Sequence, residues 1–211
     1  MRCQGIAGNV LNMFSEPVQS RAAAKVETRA RVLAAADRSF RARGFAGTTV
    51  RGIAADAGVS GGTVMAVGDK DALLVAVVDE WIAAVHAERA TGEPLPSLGR
   101  DEAIARLVGT VEPFVAYFNA DGDLSREYAA VLARGKHRSR TFGDLGDELQ
   151  AEFARILRAA GHVDPGAAGR TLYFVYIGLL FATSGGALAR EAAAERLVEA
   201  IIQILGEGVP R

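Results

Sequence analysis

The segment Ile53–Ser60, with the sequence IAADAGVS, constrains this chain most, because it has the pattern of a tight corner between two helices. Small Ala54 lets the two helices approach closely, and Gly58 permits the left-handed backbone conformation that other residues resist. The hydroxyl of Ser60 can accept hydrogen bonds from the first amides of the next helix. A helix-turn-helix of this kind places its second helix in the major groove of DNA. A corner used only for packing has the same pattern, so spacing alone leaves both interpretations open.

Helical periodicity surrounds this corner on both sides. An apolar stripe at helical spacing starts at Val32 and ends where Gly44 offers a helix C-cap. Thr48-Thr49 offers the N-cap of a second short helix, Ser60 that of a third, and Asp69 that of a fourth. Three short helices followed by a longer one predict a small tri-helical module.

The rest of the chain also has a helical pattern. Thr91–Gly99 contains two prolines and is predicted to be a loop, and Pro113 is expected to kink or divide the helix that contains it. The predicted helices cover about 100–120, 123–134, 142–160, 165–188 and 190–206. No strand pattern is visible, so the predicted class is all-α, with an N-terminal helix-turn-helix head on a larger helical domain. The predicted domains are a disordered extension at 1–21, the head at 22–74 and the larger domain at 75–211; an arm that tracks DNA is the alternative for the extension.

Charge and composition restrict the partners. Residues 21–72 carry nine Lys and Arg against five Asp and Glu, whereas residues 73–211 carry fourteen against nineteen. A basic segment on an acidic body favours a polyanion as the partner of the N-terminal part, although ordinary solvated helices carry similar charge. The single Cys3 and three scattered histidines argue against a disulfide framework and a metal site, and no cofactor is expected. Neither a signal peptide nor a bilayer-spanning stretch is evident, which favours the cytoplasm.

A longer pattern around the corner carries a family resemblance. The pattern is the run Gly44-Phe45-x-x-Thr48-Thr49-Val50-x-x-Ile53-Ala54-x-x-Ala57-Gly58-Val59-Ser60-x-Gly62-Thr63-Val64, followed by Gly68-Asp69-Lys70-x-Ala72-Leu73-Leu74. This run resembles the N-terminal signature of the tetracycline-repressor (TetR) family. The resemblance covers about fifty residues of the chain; beyond Leu74 only length and helical character fit the family.

The resemblance implies a set of DNA-binding residues, which are Thr49, Arg51, Ser60, Gly61, Gly62, Thr63, Met65 and Lys70. A hydroxyl at Thr49, a guanidinium at Arg51 and an ammonium at Lys70 suit phosphate contacts. The alternative to DNA contact is that the Thr49 and Ser60 hydroxyls only cap helices and that the Arg51 and Lys70 side chains are only solvated. The chain departs from the family at Met65, where an aromatic residue is usual, and the stretch from Thr63 to Lys70 is one residue shorter. No long donor of the recognition helix can contact a base in bidentate fashion, so specificity is expected to rest on phosphate contacts, Thr63 and DNA shape.

The resemblance also implies that the C-terminal domain binds a small molecule and forms a homodimer through its last two helices. Leu197, Val198, Ile201, Ile204 and Leu205 form one apolar stripe there, and Leu172, Val175, Leu179 and Ala182 form a second. Aromatic and apolar residues that suit an uncharged or weakly polar effector are Trp81, Phe114, Tyr117, Phe118, Tyr128, Phe153, Tyr173, Tyr176 and Ile177. Each of these residues also suits a plain hydrophobic core.

Three functional hypotheses follow. The first is a dimeric, ligand-responsive transcriptional regulator, acting as a repressor on a near-palindromic double-stranded operator. The second is a helical small-molecule-binding protein whose head no longer binds DNA specifically, and the altered recognition helix motivates it. An enzyme is the third and is not expected, because no nucleophile, base and orienting group are arranged at catalytic spacing.

Overall fold

The protein is all-α, as its sequence predicts. The computed structural model describes residues 7–89 and 95–208, and these ranges contain no strand. The helices are α1 (Ala7–Gly47), α2 (Val50–Ala57), α3 (Gly61–Val67), α4 (Lys70–Arg89), α5 (Arg100–Ala120), α6 (Gly122–Ala133), α7 (Asp144–Ala159), α8 (Pro165–Ser184) and α9 (Arg190–Gly208), with a short 3₁₀ helix at Arg140–Phe142 before α7. None of the helices in these ranges combines the length and the hydropathy that a bilayer span requires.

Local sequence signals explain where the later helices begin. Asp121 accepts a hydrogen bond from the Leu124 amide (2.9 Å) at the start of α6, and Asp164 accepts one from the Ala167 amide (3.0 Å) at the start of α8. Pro113 does not divide α5, which runs unbroken from Arg100 to Ala120. An internal proline removes only one backbone hydrogen bond, and the buried side chains on both sides of it hold this helix in place.

The first helix differs most from the sequence-based expectation. It begins at Ala7, upstream of the start expected near residue 22, so residues 7–21 are helical where an extension without regular structure was expected. Gly44 interrupts α1 with a non-helical backbone (φ 68°), at the position where the sequence predicts a helix end. Residues 1–6 and 90–94, which include parts of the expected extension and of the expected loop, lie outside the described residues.

The chain divides into two compact units, with the boundary between Leu73 and Leu74. In the first unit α1, α2 and α3 enclose a small core, whose fully buried members include Val32, Phe40, Ile53 and Val64. In the second unit α7 and α8 form the most extensive helix pair. Gly169 permits this pairing, because a Cβ there would lie 2.9 Å from the Gln150 carbonyl oxygen. The core of the second unit includes Leu107, Phe153, Leu157, Leu172, Ile201 and Leu205.

Candidate functional site

The turn between α2 and α3 has the geometry of a helix-turn-helix. Gly58 adopts the left-handed conformation (φ 64°, ψ 40°) that the sequence predicts, and α2 ends there. Arg31 of α1 donates hydrogen bonds to the carbonyl oxygens of Ala57 (2.6 Å) and Gly58 (3.2 Å). These bonds fix the corner against α1, so Arg31 stabilises the turn. Its role was missed from the sequence, because a lone arginine on a helix gives no signal of a partner in a distant turn.

Two predicted capping residues start the helices of this motif. Thr49 Oγ1 accepts a hydrogen bond from the Gly52 amide (3.1 Å), and Ser60 Oγ accepts one from the Thr63 amide (3.1 Å). The hydroxyls of Ser60 and Thr63 also lie 2.9 Å apart. Both capping predictions are confirmed, which leaves DNA contact by the same hydroxyls as a separate prediction.

The other expected DNA-binding residues occupy the surface around these caps. Arg51, in the first turn of α2, is exposed, and Gly61 and Gly62 are exposed at the start of α3. Met65 keeps 53% of its surface exposed. The position where the family usually has an aromatic residue is therefore outward-facing.

Lys70, at the first position of α4, is engaged within the head. Its Nζ donates a hydrogen bond to the Phe45 carbonyl oxygen (3.1 Å) and lies 4.2 Å from the centroid of the Phe45 ring. An ammonium has three N–H donors, so this bond leaves capacity for a phosphate. Lys70 therefore has a structural role, and its phosphate contact stays a prediction.

The second unit encloses an apolar cavity of about 50 Å³. Helices α4 to α8 and the 3₁₀ helix contribute to its wall, whose members include Ile82, His86, Phe114, Phe118, Ser125, Tyr128, Leu132, Thr141, Phe142, Leu145, Leu149, Tyr173, Tyr176, Ile177, Phe181 and Ser184. Its small volume and apolar walls suit a small hydrophobic molecule.

Six of the nine expected ligand-binding residues line this cavity, namely Phe114, Phe118, Tyr128, Tyr173, Tyr176 and Ile177. Trp81, Tyr117 and Phe153 do not. Trp81 stacks on Tyr117 with ring centroids 4.0 Å apart, and Phe153 is fully buried in the core. Helix geometry explains why Trp81 lies outside this cavity, because the next residue, Ile82, and His86 one turn later line it instead.

A buried hydrogen-bond network supports one side of the cavity. Asp79 of α4 accepts hydrogen bonds from Ser139 Oγ (2.7 Å), the Arg140 amide (2.9 Å) and Thr141 Oγ1 (3.3 Å). The Tyr128 hydroxyl lies 3.2 Å from Ser139 Oγ and 3.1 Å from Thr141 Oγ1. Asp79 therefore anchors the segment that positions two cavity-lining residues, Tyr128 and Thr141.

Burial sets the ionisation of the tyrosines in this wall. Tyr173 donates a hydrogen bond from its hydroxyl to the Thr141 carbonyl oxygen (2.6 Å), and burial raises the pKa of Tyr173 to about 12. Burial also raises the pKa values of Tyr128 and Tyr176. The three phenols are neutral at physiological pH, so they add no charge to the cavity. Within residues 7–89 and 95–208 no cluster of His, Cys, Asp and Glu has the composition of a metal site.

Comparisons with known proteins agree with this geometry. Residues 32–77 match the family model described as "Bacterial regulatory proteins, tetR family". No curated protein matches the chain in sequence.

Solved structures provide matches to the fold. A TetR transcriptional regulator from Rhodococcus sp. RHA1 is 19% identical with a TM-score of 0.58, and the match covers 85% of this chain and 95% of that one. Thermus thermophilus FadR, a TetR-family transcriptional repressor solved with lauroyl-CoA, is 22% identical with a TM-score of 0.58, covering 87% and 95%. A TetR-family regulator from Mesorhizobium loti is 17% identical with a TM-score of 0.57, covering 88% and 98%.

At these identities the structures establish the fold, while the family model identifies the head by its sequence. The two findings concur: residues 32–77 match the sequence of a TetR-family head, and the chain has the fold of the solved TetR-family regulators.

Proposed function

We propose that this protein is a ligand-responsive repressor that binds a near-palindromic operator as a homodimer and is released by a small apolar or weakly polar effector. One observation carries the proposal: the chain joins a TetR-family head, with its helix-turn-helix corner fixed by hydrogen bonds, to a second unit that encloses an apolar cavity. A reading head with a separate small-molecule site is what effector-controlled DNA binding requires. Such a regulator acts on DNA in the cytoplasm, and we propose no enzymatic activity for it.

DNA affinity is expected to come from phosphate contacts. Arg51 is exposed in the first turn of α2, and Lys70 retains donor capacity at the first position of α4. Gly61 has nothing within 4 Å of the position where a Cβ would lie, so the backbone there can approach DNA closely. Sequence preference would then arise from Thr63 and from DNA shape.

The surfaces of α8 and α9 support a homodimer. The stripe members Leu172, Leu197 and Ile201 are buried inside the chain, so they form its own core. The apolar surface left outside is different: Phe174 of α8 is 64% exposed and Ile202 of α9 is 40% exposed. A contiguous exposed apolar patch marks a contact surface, and we propose that these two residues belong to one. We therefore assign the dimer contact to the face of α8 and α9 that carries these two residues.

A charge on this face provides the test of the dimer. Phe174→Glu is expected to convert the dimer to a monomer, because it would place a carboxylate in an apolar contact. Light scattering after size-exclusion chromatography measures the mass. Val163→Glu is the matched control, since Val163 is 74% exposed but precedes α8 in a loop. A monomeric wild-type protein, or equal dimer masses for both variants, would contradict the assignment.

Helix α4 offers the route from effector to DNA. It begins at Lys70 and continues to Ile82 and His86, which line the cavity. Trp81 of the same helix stacks on Tyr117, which follows Pro113 in α5. An effector that changes the cavity wall would shift α4 and so alter the spacing of the two reading heads. The lauroyl-CoA complex of the T. thermophilus repressor supports an effector with apolar character.

A second candidate function is a small-molecule-binding protein that has lost specific DNA binding. The two exposed glycines at the start of α3 and Met65 further along it favour this function, since none of them offers a long base-reading donor.

Selection of bound genomic fragments tests the proposal. The wild-type protein is mixed with sheared DNA from the source bacterium, and retained fragments are sequenced and footprinted. We expect a small set of fragments with a two-fold symmetric footprint. Arg51→Ala should weaken binding to every fragment and reduce the salt slope by about one unit. Arg106→Ala, which removes an exposed arginine of α5 paired with Glu102 (3.0 Å), is the control and should bind like wild type. Retention without sequence enrichment would contradict the proposal and favour the second candidate.

A further inference from the structure

We infer that the cavity takes a small, largely apolar molecule with one uncharged hydrogen-bonding oxygen, a hydroxyl or a carbonyl, and that His86 Nε2 is the protein atom that holds this oxygen. The inference deepens the proposed function and rests on it, because it names the chemical class of the effector and the residue that recognises it.

Most polar groups of the cavity wall are already committed to bonds within the protein. Ser125 Oγ donates to the Phe118 carbonyl oxygen (2.6 Å), and Tyr173 donates to the Thr141 carbonyl oxygen. The Tyr128 hydroxyl pairs with the hydroxyls beside it. A ligand therefore gains little by offering these groups a partner, since each would first have to break an internal bond.

His86 is different. Its side chain lies in the wall of the cavity and is only 7% exposed, and Nε2 has no hydrogen-bond partner among the described residues. Its ring packs against Phe114, with centroids 5.5 Å apart. A buried polar atom without a partner lowers the stability of the empty protein, and a ligand oxygen that pairs with it removes this cost.

The oxygen is expected to be uncharged. The pKa of His86 is lowered, mainly by burial and also by the charge of Arg89. The nearby Glu148 and Glu152 act in the opposite direction but do not reverse this shift. The neutral ring offers one hydrogen bond and no positive charge to a carboxylate. Arg89 does not supply the charge, because it donates to the Thr110 carbonyl oxygen (2.6 Å) and lies 3.9 Å from Glu152.

The position of His86 orients the molecule. His86 and Leu145 line the cavity and also an adjoining charged groove, whose other members include Arg89, Arg140, Glu148, Glu152 and Arg155. Ile177 and Phe181 belong to the cavity and not to the groove. The polar end of the ligand therefore lies on the groove side, and its hydrocarbon part lies against these apolar residues.

Three probes of equal size test the inference: 1-propanol, acetone and 1-chloropropane have the same number of non-hydrogen atoms and are small enough for a cavity of this size. Their affinities for the full-length protein are measured by NMR titration of the methyl resonances. The alcohol and the ketone are expected to bind about tenfold more tightly than the chloride, the factor expected when a buried polar group gains a partner. His86→Phe should abolish this preference, and His86→Gln, which keeps a hydrogen-bonding group, should retain part of it. Equal affinities in the wild type, a preference that survives in His86→Phe, or no binding of any probe would overturn the inference.

Thermal unfolding provides a readout without ligand. His86→Phe should raise the Tm of the empty protein by a few degrees, because it removes the unpartnered nitrogen while filling similar space. His162→Phe is the matched control: His162 Nε2 lies 3.2 Å from the Ile204 carbonyl oxygen and Nδ1 accepts from the Asp164 amide (3.1 Å), so its replacement should lower Tm. A lower Tm for His86→Phe would contradict the inference. The proposed function is tested separately by fragment selection with the wild-type protein, whose failure would leave the probe preference intact.

Discussion

Asp79 offers the sharpest test of how the cavity wall is held. Its carboxylate is 5% exposed and accepts hydrogen bonds from Ser139 Oγ, the Arg140 amide and Thr141 Oγ1. Asp79→Asn keeps the size of the side chain but leaves one acceptor oxygen in place of two. At least one buried donor then loses its partner, and the remaining bonds lose their charge assistance. The expected loss is about 2–3 kcal/mol in the free energy of unfolding.

Asp144→Asn is the matched control for this variant. The Arg140 side chain donates to Asp144 Oδ2 from Nε (2.9 Å) and Nη2 (2.7 Å), and this contact lies in solvent. Exposed ion pairs contribute little, so the control should unfold like wild type. Urea denaturation followed by circular dichroism measures both variants. A loss below about 0.5 kcal/mol for Asp79→Asn, or equal losses for the two, would refute the view that the buried carboxylate anchors this segment.

Three further predictions concern the head and the buried histidine. Gly58→Ala should cost about 1–2 kcal/mol of stability, because φ is 64° there, whereas Gly61→Ala should cost none, since Gly61 has open space around it; urea denaturation compares the two. Lys70→Ala should weaken DNA binding uniformly and also lower stability by about 1 kcal/mol, through loss of the bond to Phe45 and the ring contact; an unchanged unfolding midpoint would contradict the structural part. Because burial lowers the pKa of His86 below its usual 6.5 in the folded state, the unfolded chain binds more protons on acidification. Wild type should therefore lose stability relative to His86→Phe as the pH falls from 7 to 5. Parallel plots of the free energy of unfolding against pH for the two proteins would show that the ring is not desolvated.

The head was predictable because its signals are local. Thr49, Gly58 and Ser60 act on backbone groups within a few residues, so their roles follow from spacing. Arg31 was not predictable, because its acceptors lie 26 and 27 residues away in sequence. Similarly, nothing in the sequence pairs Asp79 with a segment some sixty residues later.

The cavity was predictable only in part. Aromatic residues were sensible candidates, yet residue type does not say which face of a helix meets a cavity, so Trp81 was chosen where Ile82 and His86 line the wall. Similarly, the apolar stripes of the last two helices did not distinguish buried core positions from exposed positions. Leu197 and Ile201 are buried, whereas Ile202, only one residue further, is exposed. One residue rotates the side chain by about 100° around a helix, a distinction that composition cannot supply.

The specificity ratio of the head tests the central proposal most directly. The affinity of the wild-type protein for a selected genomic fragment is compared with that for a scrambled fragment of equal length and composition, at several salt concentrations. A ligand-responsive regulator should bind the selected fragment at least about 10³-fold more tightly, with affinity for both falling steeply as salt rises. Equal affinity for the two fragments would contradict the proposal and would instead support a small-molecule-binding protein whose recognition helix no longer reads DNA.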